Sequence, residues 1–348
     1  MCESFWCFRA TKLWRIIYSR NTSRDGANMR KPWLSPVEQV QCLKEKGITF
    51  DLMTEGEVER YLAANSNYFR VASYRHGFPR VVGGGNDGKY INLDFAMLKD
   101  LSIIDYLLRQ ALLPMTIDVE HFAKMELLSW IEGHSEDGYE FVHSFLEAKT
   151  HINPQGESAC RILDEIHRGS SGVYTDKLIE RYQGEEMPVW VFLELIPFGT
   201  FCQFWKHCSW EGGDKSMEGR YYLLQDVKNL RNACGHNNCI LNGLESGTAK
   251  HRASREVVNA VRDAGVAEAM RKSKLSNGRI QHITSALYLH HMVASDGVCS
   301  HTRERLNLLL ERMDKHKDYY LKCDQIRTMF EYMRILVNAW YGTSTNGD

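Results

Sequence analysis

The chain has few prolines, no surplus of either charge, no closely spaced cysteine pair and no long apolar run, and each shortage excludes something. Seven prolines in 348 residues leave long stretches of good helix formers unbroken, which favours a mostly helical fold. Valine- and isoleucine-rich alternation is nearly absent, so no sheet is expected beyond a hairpin near the glycine run Gly83–Gly88. Basic and acidic side chains number 43 and 44, a formal net charge of −1. Proteins that coat nucleic acid indiscriminately carry a clear basic excess, because counterion release drives that binding. Any nucleic-acid contact here must come from local patches. The longest apolar run, Val189 to Phe201, is interrupted by Glu194 and Pro197. It falls short of the roughly 18 to 20 apolar residues needed to cross a bilayer and reads as a buried core helix, so no membrane partner is expected.

What is present is an ordinary globular composition, 43% hydrophobic, with ten scattered cysteines. Zinc knuckles need close pairs, because two thiolates must reach one tetrahedral ion from a tight turn. Cys202, His207 and Cys208 could meet Cys234, His236 and Cys239 around zinc, but buried free thiols in a reducing cytosol are the simpler reading. No metal and no cofactor are expected, and a cytoplasmic location is. His290-His291 is read as structural.

Residues 1–28 look unlike the rest, and Met29-Arg30-Lys31-Pro32 reads like a natural beginning. The first stretch is therefore expected to be a non-native or flexible extension. From Ser35 the pattern turns helical: Ser35-Pro36-Val37-Glu38 supplies an N-cap, a first-turn proline and a capping glutamate, with a stop at Gly47. Thr54 opens a second helix, reaching about Ala64. Further helices are expected over Leu93–Trp130 with a break near Pro114, then at Tyr139–Lys149, Ala159–Arg168 and Tyr174–Tyr182. Beyond Val189–Trp205 come Arg220–Cys239, Arg252–Lys274, Arg279–Val293 and His301–Ala339. The whole is an all-α fold.

Arg220 to Cys239 carries the chemistry. Leu223, Val227, Leu230 and Cys234 recur at spacings of four, three and four, which makes one buried stripe. At about 100° per residue, Asn232 and His236 fall one above the other on the opposite side. Lys228, Gln225 and Tyr221 continue that ridge, and Arg231 flanks it. A solvated face would look similar, and Arg-x4-His alone is short enough to arise by chance.

The surrounding pattern is more specific. Arg231-Asn232-Ala233-Cys234-Gly235-His236, with Asn242 beyond, resembles the arginine–asparagine–any–cysteine–small–histidine element of the Abi-like (AbiD/AbiF abortive-infection) family of the HEPN superfamily. Lys44-Glu-Lys-Gly47-Ile48, Asn67-Tyr68-Phe69-Arg70 followed by Tyr74, Asp105…Leu108-Arg109…Asp118, and Pro188-Val-Trp190…Glu194…Phe198-Gly199 are similar to that family's other elements, in order, across about Trp33 to Leu244. Gly235 departs from the usual alanine, and Gly133–Gly184 has no match. The resemblance implies a HEPN-like helical bundle over residues 29–250, with residues 251–348 as further helices packed on it. It implies a homodimer whose Arg-x4-His helices meet across a two-fold axis to form one composite site. The implied activity is metal-independent RNA cleavage by 2′-hydroxyl attack, in abortive-infection or toxin–antitoxin defence, with an antitoxin RNA or protein as a further partner. His236 would move the proton, Arg231 would hold the phosphorane oxygens and Asn232 would orient either one.

Tyr68, Arg70, Tyr74 and Arg75 interleave rings with guanidiniums in a way that suits single-stranded RNA, although aromatics in the core and arginines outside would give the same pattern. Glu194, inside an apolar helix, reads as a buried or partner-facing carboxylate that needs a cation such as Arg231. Asn237 and Asn242 are supporting candidates. The competing function is a non-catalytic RNA-binding or partner-binding module of the same architecture.

Overall fold

The structure, a computed structural model, describes residues 32–134, 137–152, 158–168, 172–182 and 186–342. The expectation for residues 1–28 and Met29 lies outside these residues. Among them the fold is all-α, with fifteen α-helices and one two-stranded sheet. In chain order the helices are α1 (Pro36–Glu45), α2 (Glu55–Ala64), α3 (Tyr68–Ser73), α4 (Phe95–Glu132), α5 (Glu140–Lys149), α6 (Arg161–Arg168), α7 (Asp176–Arg181) and α8 (Val189–Leu195). They continue with α9 (Phe198–Glu211), α10 (Lys215–Gly235), α11 (Arg255–Asp263), α12 (Glu268–Leu275), α13 (Gly278–Val293), α14 (Asp296–Lys315) and α15 (Asp324–Tyr341). The sheet pairs β1 (Thr150–Ile152) with β2 (Ser158–Cys160). Near the glycine run there is only one antiparallel bridge, Arg80 to Tyr90, with Gly83 N–H donating to Asp87 Oδ1 at 2.7 Å.

Helix α4 is the spine, 38 residues long, with α10, α13 and α14 packed along it. The expected break at Pro114 does not occur. A mid-helix proline costs about 3 kcal/mol, but Leu112, Met115, Thr116 and Val119 around it are all buried. Each large aliphatic side chain removed from water contributes about 1.5–3 kcal/mol, so packing on both sides of the proline holds the helix straight through. The carbonyl that proline leaves without a donor belongs to Gln110, an exposed residue.

Elsewhere the chain breaks more often than its periodicity suggests. Val189–Trp205 is two helices, because Pro197 forces Ile196 into extended backbone (ψ 142°). Arg252–Lys274 divides at Gly265, whose φ of +89° is left-handed. His301–Ala339 divides around the 3-10 turn Lys317–Tyr320. The N-terminal caps form as expected: Ser35 and Glu38 close a capping box on α1, and Glu57 accepts from both Thr54 N–H and Thr54 Oγ1.

The spine carries carboxylates that tie distant segments to it. Asp94 accepts from Thr49 Oγ1 at 3.0 Å and from the Asp51 N–H at 2.7 Å. Asp100 accepts from Tyr320 Oη at 2.6 Å and pairs with Arg312. Asp118 lies 3.3 Å from Nε2 of His290, a fully buried histidine whose Nδ1 meets Tyr341 Oη at 3.0 Å. The reading of His290 as structural fits this place in the core.

Burial holds the His290 imidazole below its ordinary pKa of 6.5, and this outweighs the opposing pull of Asp118. The unfolded chain therefore binds a proton that the folded chain resists, so stability falls as pH drops through and below about 6.5. Burial depresses His207, His282 and His291 in the same direction. We expect the urea midpoint to fall between pH 7.5 and 5.5, and His290→Gln to flatten part of that slope. An unchanged slope would remove His290 from the account.

Candidate active site

Helix α10 starts at Asp214, whose carboxylate caps the N–H groups of Ser216 (2.8 Å) and Met217 (3.3 Å) and accepts from Trp130 of the spine. It runs antiparallel to α4, as the pairs Trp130–Asp214, Glu126–Arg220 and Glu120–Arg231 mark out. Leu223, Val227, Leu230 and Cys234 are buried as the stripe predicts, and Asn232 and His236 are exposed on the other side. Neither of these two side chains has a hydrogen-bond partner among the described residues, so Asn232 does not orient His236 here. Arg231 leans back to Glu120, with its Nη2 4.0 Å from Glu120 Oε2. At that distance and exposure such a pair restrains little. Lys228 donates to Gln225 at 2.7 Å, and its stem lies beside Gly199 of α9.

The helix ends at His236 in a Schellman arrangement. Asn238 N–H reaches the Ala233 carbonyl (2.8 Å), Asn237 N–H reaches Cys234 (3.0 Å), and Asn237 takes the left-handed conformation at φ 56°. Asparagine is among the few non-glycine residues that tolerate this backbone. Its Oδ1 also accepts from Arg70 Nη2 at 3.0 Å, which ties α3 to the helix end. Asn237 thus supports His236 through the backbone.

Gly235, one residue earlier, has ordinary helical backbone, and a Cβ there would meet nothing within 4 Å. Gly235→Ala should therefore raise stability, by a few tenths to about 1 kcal/mol. A lower melting temperature in this variant would mean that the glycine serves a conformation of its own.

The segment after His236 is pinned by a residue of the family-like Asp105…Asp118 element that was not among the site candidates. Asp105 of α4 is fully buried, and its Oδ1 accepts from the N–H groups of Ile240 and Leu241, both at 2.7 Å. Its Oδ2 accepts from Tyr74 Oη at 2.8 Å and pairs with Arg109, which in turn donates to the Asn238 carbonyl at 3.1 Å. Tyr74 is therefore a core residue with no face free for a base, so of the two sequence readings of the alternation the core one holds at this position. Arg75 is half-buried and donates to the Ala72 carbonyl of its own turn. Tyr68 is half-buried against the core, and Phe69 is the ring that stands out, 83% exposed.

These elements enclose a groove of about 480 Å³ lined by Asn67, Phe69, Arg70, Asn237, Asn242 and Arg279, among others. Arg279, at the start of α13, donates to the Cys239 carbonyl at 2.7 Å. It was not foreseen, because its role depends on a carbonyl forty positions away. Asn242 also lines the groove, and its Oδ1 is buried without a hydrogen-bond partner.

Glu194 is not the buried carboxylate that one of its two sequence readings made it. Glu194 is exposed at the end of the short helix α8 and pairs with no cation among the described residues, and the acid within reach of Arg231 is Glu120. The zinc arrangement, already the less simple reading of the cysteines, does not assemble among the described residues. Cys202 and Cys208 are buried in α9, His207 Nε2 meets Ser144 Oγ at 2.8 Å, and no metal-binding cluster occurs among the described residues. Burial pushes the thiols of Cys202 and Cys234 up to about 12 and about 11. Thiols so placed are poor nucleophiles.

The family model described as Abi-like protein covers residues 61–242. These residues run from the end of α2 through Asn242, and so include the spine, the groove's α3 wall and the whole Arg-x4-His helix. No curated protein and no solved structure matches the chain.

Proposed function

The chain belongs to the Abi-like family, and from that premise we propose that it is a metal-independent endoribonuclease of abortive-infection defence, acting through Arg231, Asn232 and His236. Family membership points to abortive infection, and the reaction is our reading of the site. The observation that carries it is the exposure of Asn232 and His236 on one face of α10, directly beside a groove with two guanidiniums, Arg70 and Arg279.

RNA supplies its own nucleophile. The 2′-oxygen attacks the adjacent phosphorus, the bond from phosphorus to the 5′-oxygen breaks, and a 2′,3′-cyclic phosphate and a 5′-hydroxyl remain. One imidazole takes the proton of the 2′-hydroxyl, and another supplies a proton to the departing oxygen. Guanidinium neutralises charge on the equatorial oxygens. In one copy, residues 231 and 236 are about 140° apart around the helix, so Arg231 turns toward the spine and His236 away from it. A second copy docked on this face by a two-fold axis would bring in the second imidazole and a second guanidinium. The groove then serves the flanking strand, with Phe69 for stacking and Arg70 and Arg279 for phosphates.

The test is induction of the protein in a bacterial host and mapping of RNA 5′-hydroxyl ends, beside His236→Ala. New ends with the wild type alone support the enzyme. Identical ends in both would leave the non-catalytic RNA-binding module as the better reading. Arg70→Ala and Arg279→Ala should each weaken RNA binding and lower the slope of log affinity against log salt by about one. An unchanged slope would mean that the RNA passes elsewhere.

A further inference from the structure

A second cavity, of about 750 Å³, lies entirely outside the family-matched residues. It is lined by Lys250, His251 and Arg252 of the loop before α11 and by Arg271 and Lys272 of α12, together with Ala253, Val258 and Leu275. No acidic side chain is among its lining residues. Its volume falls in the range of small-ligand sites, which combine an apolar surface with a few polar anchors.

The lining is built before any ligand arrives. Asn277 Nδ2 donates to the carbonyls of Gly243 and Glu245, both at 2.7 Å. The Gly247 N–H reaches Ser276 Oγ at 3.0 Å and the Ala249 N–H reaches the Ser276 carbonyl at 2.8 Å. Ser246 and Ser273 join their hydroxyls at 2.7 Å, and the Gly278 N–H reaches Thr248 Oγ1 at 3.3 Å. A loop stitched this way to the end of α12 loses little further freedom on binding, and preorganisation of that kind strengthens affinity. His251 is held as well, by Gln281 Nε2 at Nδ1 (3.0 Å) and by Asp226 Oδ1 at 3.4 Å from Nε2. Asp226 is buried on α10, five residues before Arg231, and its other oxygen accepts from Ser285.

The cations are differently committed. Lys272 pairs with Glu268 at 2.5 Å, and Arg271 spends one nitrogen on the Val266 carbonyl. Lys250 and Arg252 are exposed and make no ion pair among the described residues.

We propose that this cavity binds a nucleoside phosphate, with its ring on Ala253, Val258 and Leu275 and its phosphates between Lys250, Arg252 and Arg271. A lining that joins cations from two segments to apolar side chains matches the two halves of such a molecule, whereas inorganic phosphate would leave the apolar part unused. Guanidinium and ammonium donors to phosphate form the stronger class of hydrogen bond.

The test is equilibrium titration of the full chain with ATP, GTP and pyrophosphate, beside the double variant Lys250→Ala/Arg252→Ala and His236→Ala. Saturable nucleotide binding is expected, weakened about tenfold or more in the double variant and unchanged in His236→Ala. Circular dichroism would check that the double variant folds, as its exposed positions lead us to expect. A short single-stranded RNA then distinguishes the source. Displacement of the nucleotide points to an RNA segment as the natural occupant, and failure to displace it points to a free nucleotide. The proposal is overturned if no nucleotide binds at millimolar concentration, if pyrophosphate binds as well as ATP, or if the double variant binds as the wild type does.

Discussion

Replacing Asp105 by alanine should destabilise the protein by about 3–5 kcal/mol, the range for removing one partner of a buried ion pair. The change leaves Arg109 buried beside no carboxylate, and it strips acceptors from Tyr74 Oη and from the Ile240 and Leu241 N–H groups at once. Each buried donor left unsatisfied adds to the cost, by about 1–3 kcal/mol, although such losses within one network do not sum. Asp105→Asn keeps the shape and one acceptor oxygen, so it should lose less. The measurement is urea unfolding at constant slope, where a shift of the midpoint alone reports stability. A loss below about 1 kcal/mol for alanine would mean that water or a rearranged Tyr74 replaces the carboxylate. The same variant should impair the site beyond its effect on folding. Arg109 and Asp105 hold residues 238–241, and those residues hold the Schellman turn that places His236.

Asp105 also marks where sequence reasoning could have gone further. A carboxylate in the middle of an apolar helical run must find a partner, and Asp100, Asp105 and Asp118 all obey that rule. Applied to Glu194 the rule misleads, because Pro197 ends α8 just beyond it and the side chain faces out. The buried stripe of α10 and the caps of α1 are local patterns, set by neighbours three or four positions away, and the sequence displays them directly. Tyr74 and Arg279 are different. Their partners lie 31 and 40 positions off, so an aromatic–arginine alternation around Tyr74 could not separate a stacking platform from a core tyrosine. The continuity of α4 through Pro114 is a tertiary effect of the same kind, since it rests on what α10, α13 and α14 bury against the spine.

His236→Ala should reduce RNA cleavage by about a hundredfold to ten-thousandfold, the usual contribution of a positioned acid or base. Arg231→Ala should reduce it by about a hundredfold to a thousandfold, as loss of one preorganised charge-stabilising group does. Neither change should unfold the protein: His236 is exposed without a hydrogen-bond partner among the described residues, and the contact of Arg231 with Glu120 is long and partly solvated. Melting temperatures within a degree or two of wild type would verify this, since exposed substitutions commonly fall within about 0.5 kcal/mol. RNA affinity should survive in His236→Ala, because the groove cations Arg70 and Arg279 remain. Mixing then asks whether the site is shared. If two copies each contribute one His236 to a single composite site, only dimers with two wild-type chains are active. An equal mixture of wild type and His236→Ala, allowed to exchange subunits, should retain about one quarter of the activity. If each chain works alone, about one half should remain. A quarter would place the reaction on the two-fold axis. A half would require Arg231 and His236 of one chain to reach the same phosphate, despite the roughly 140° that separates them around α10.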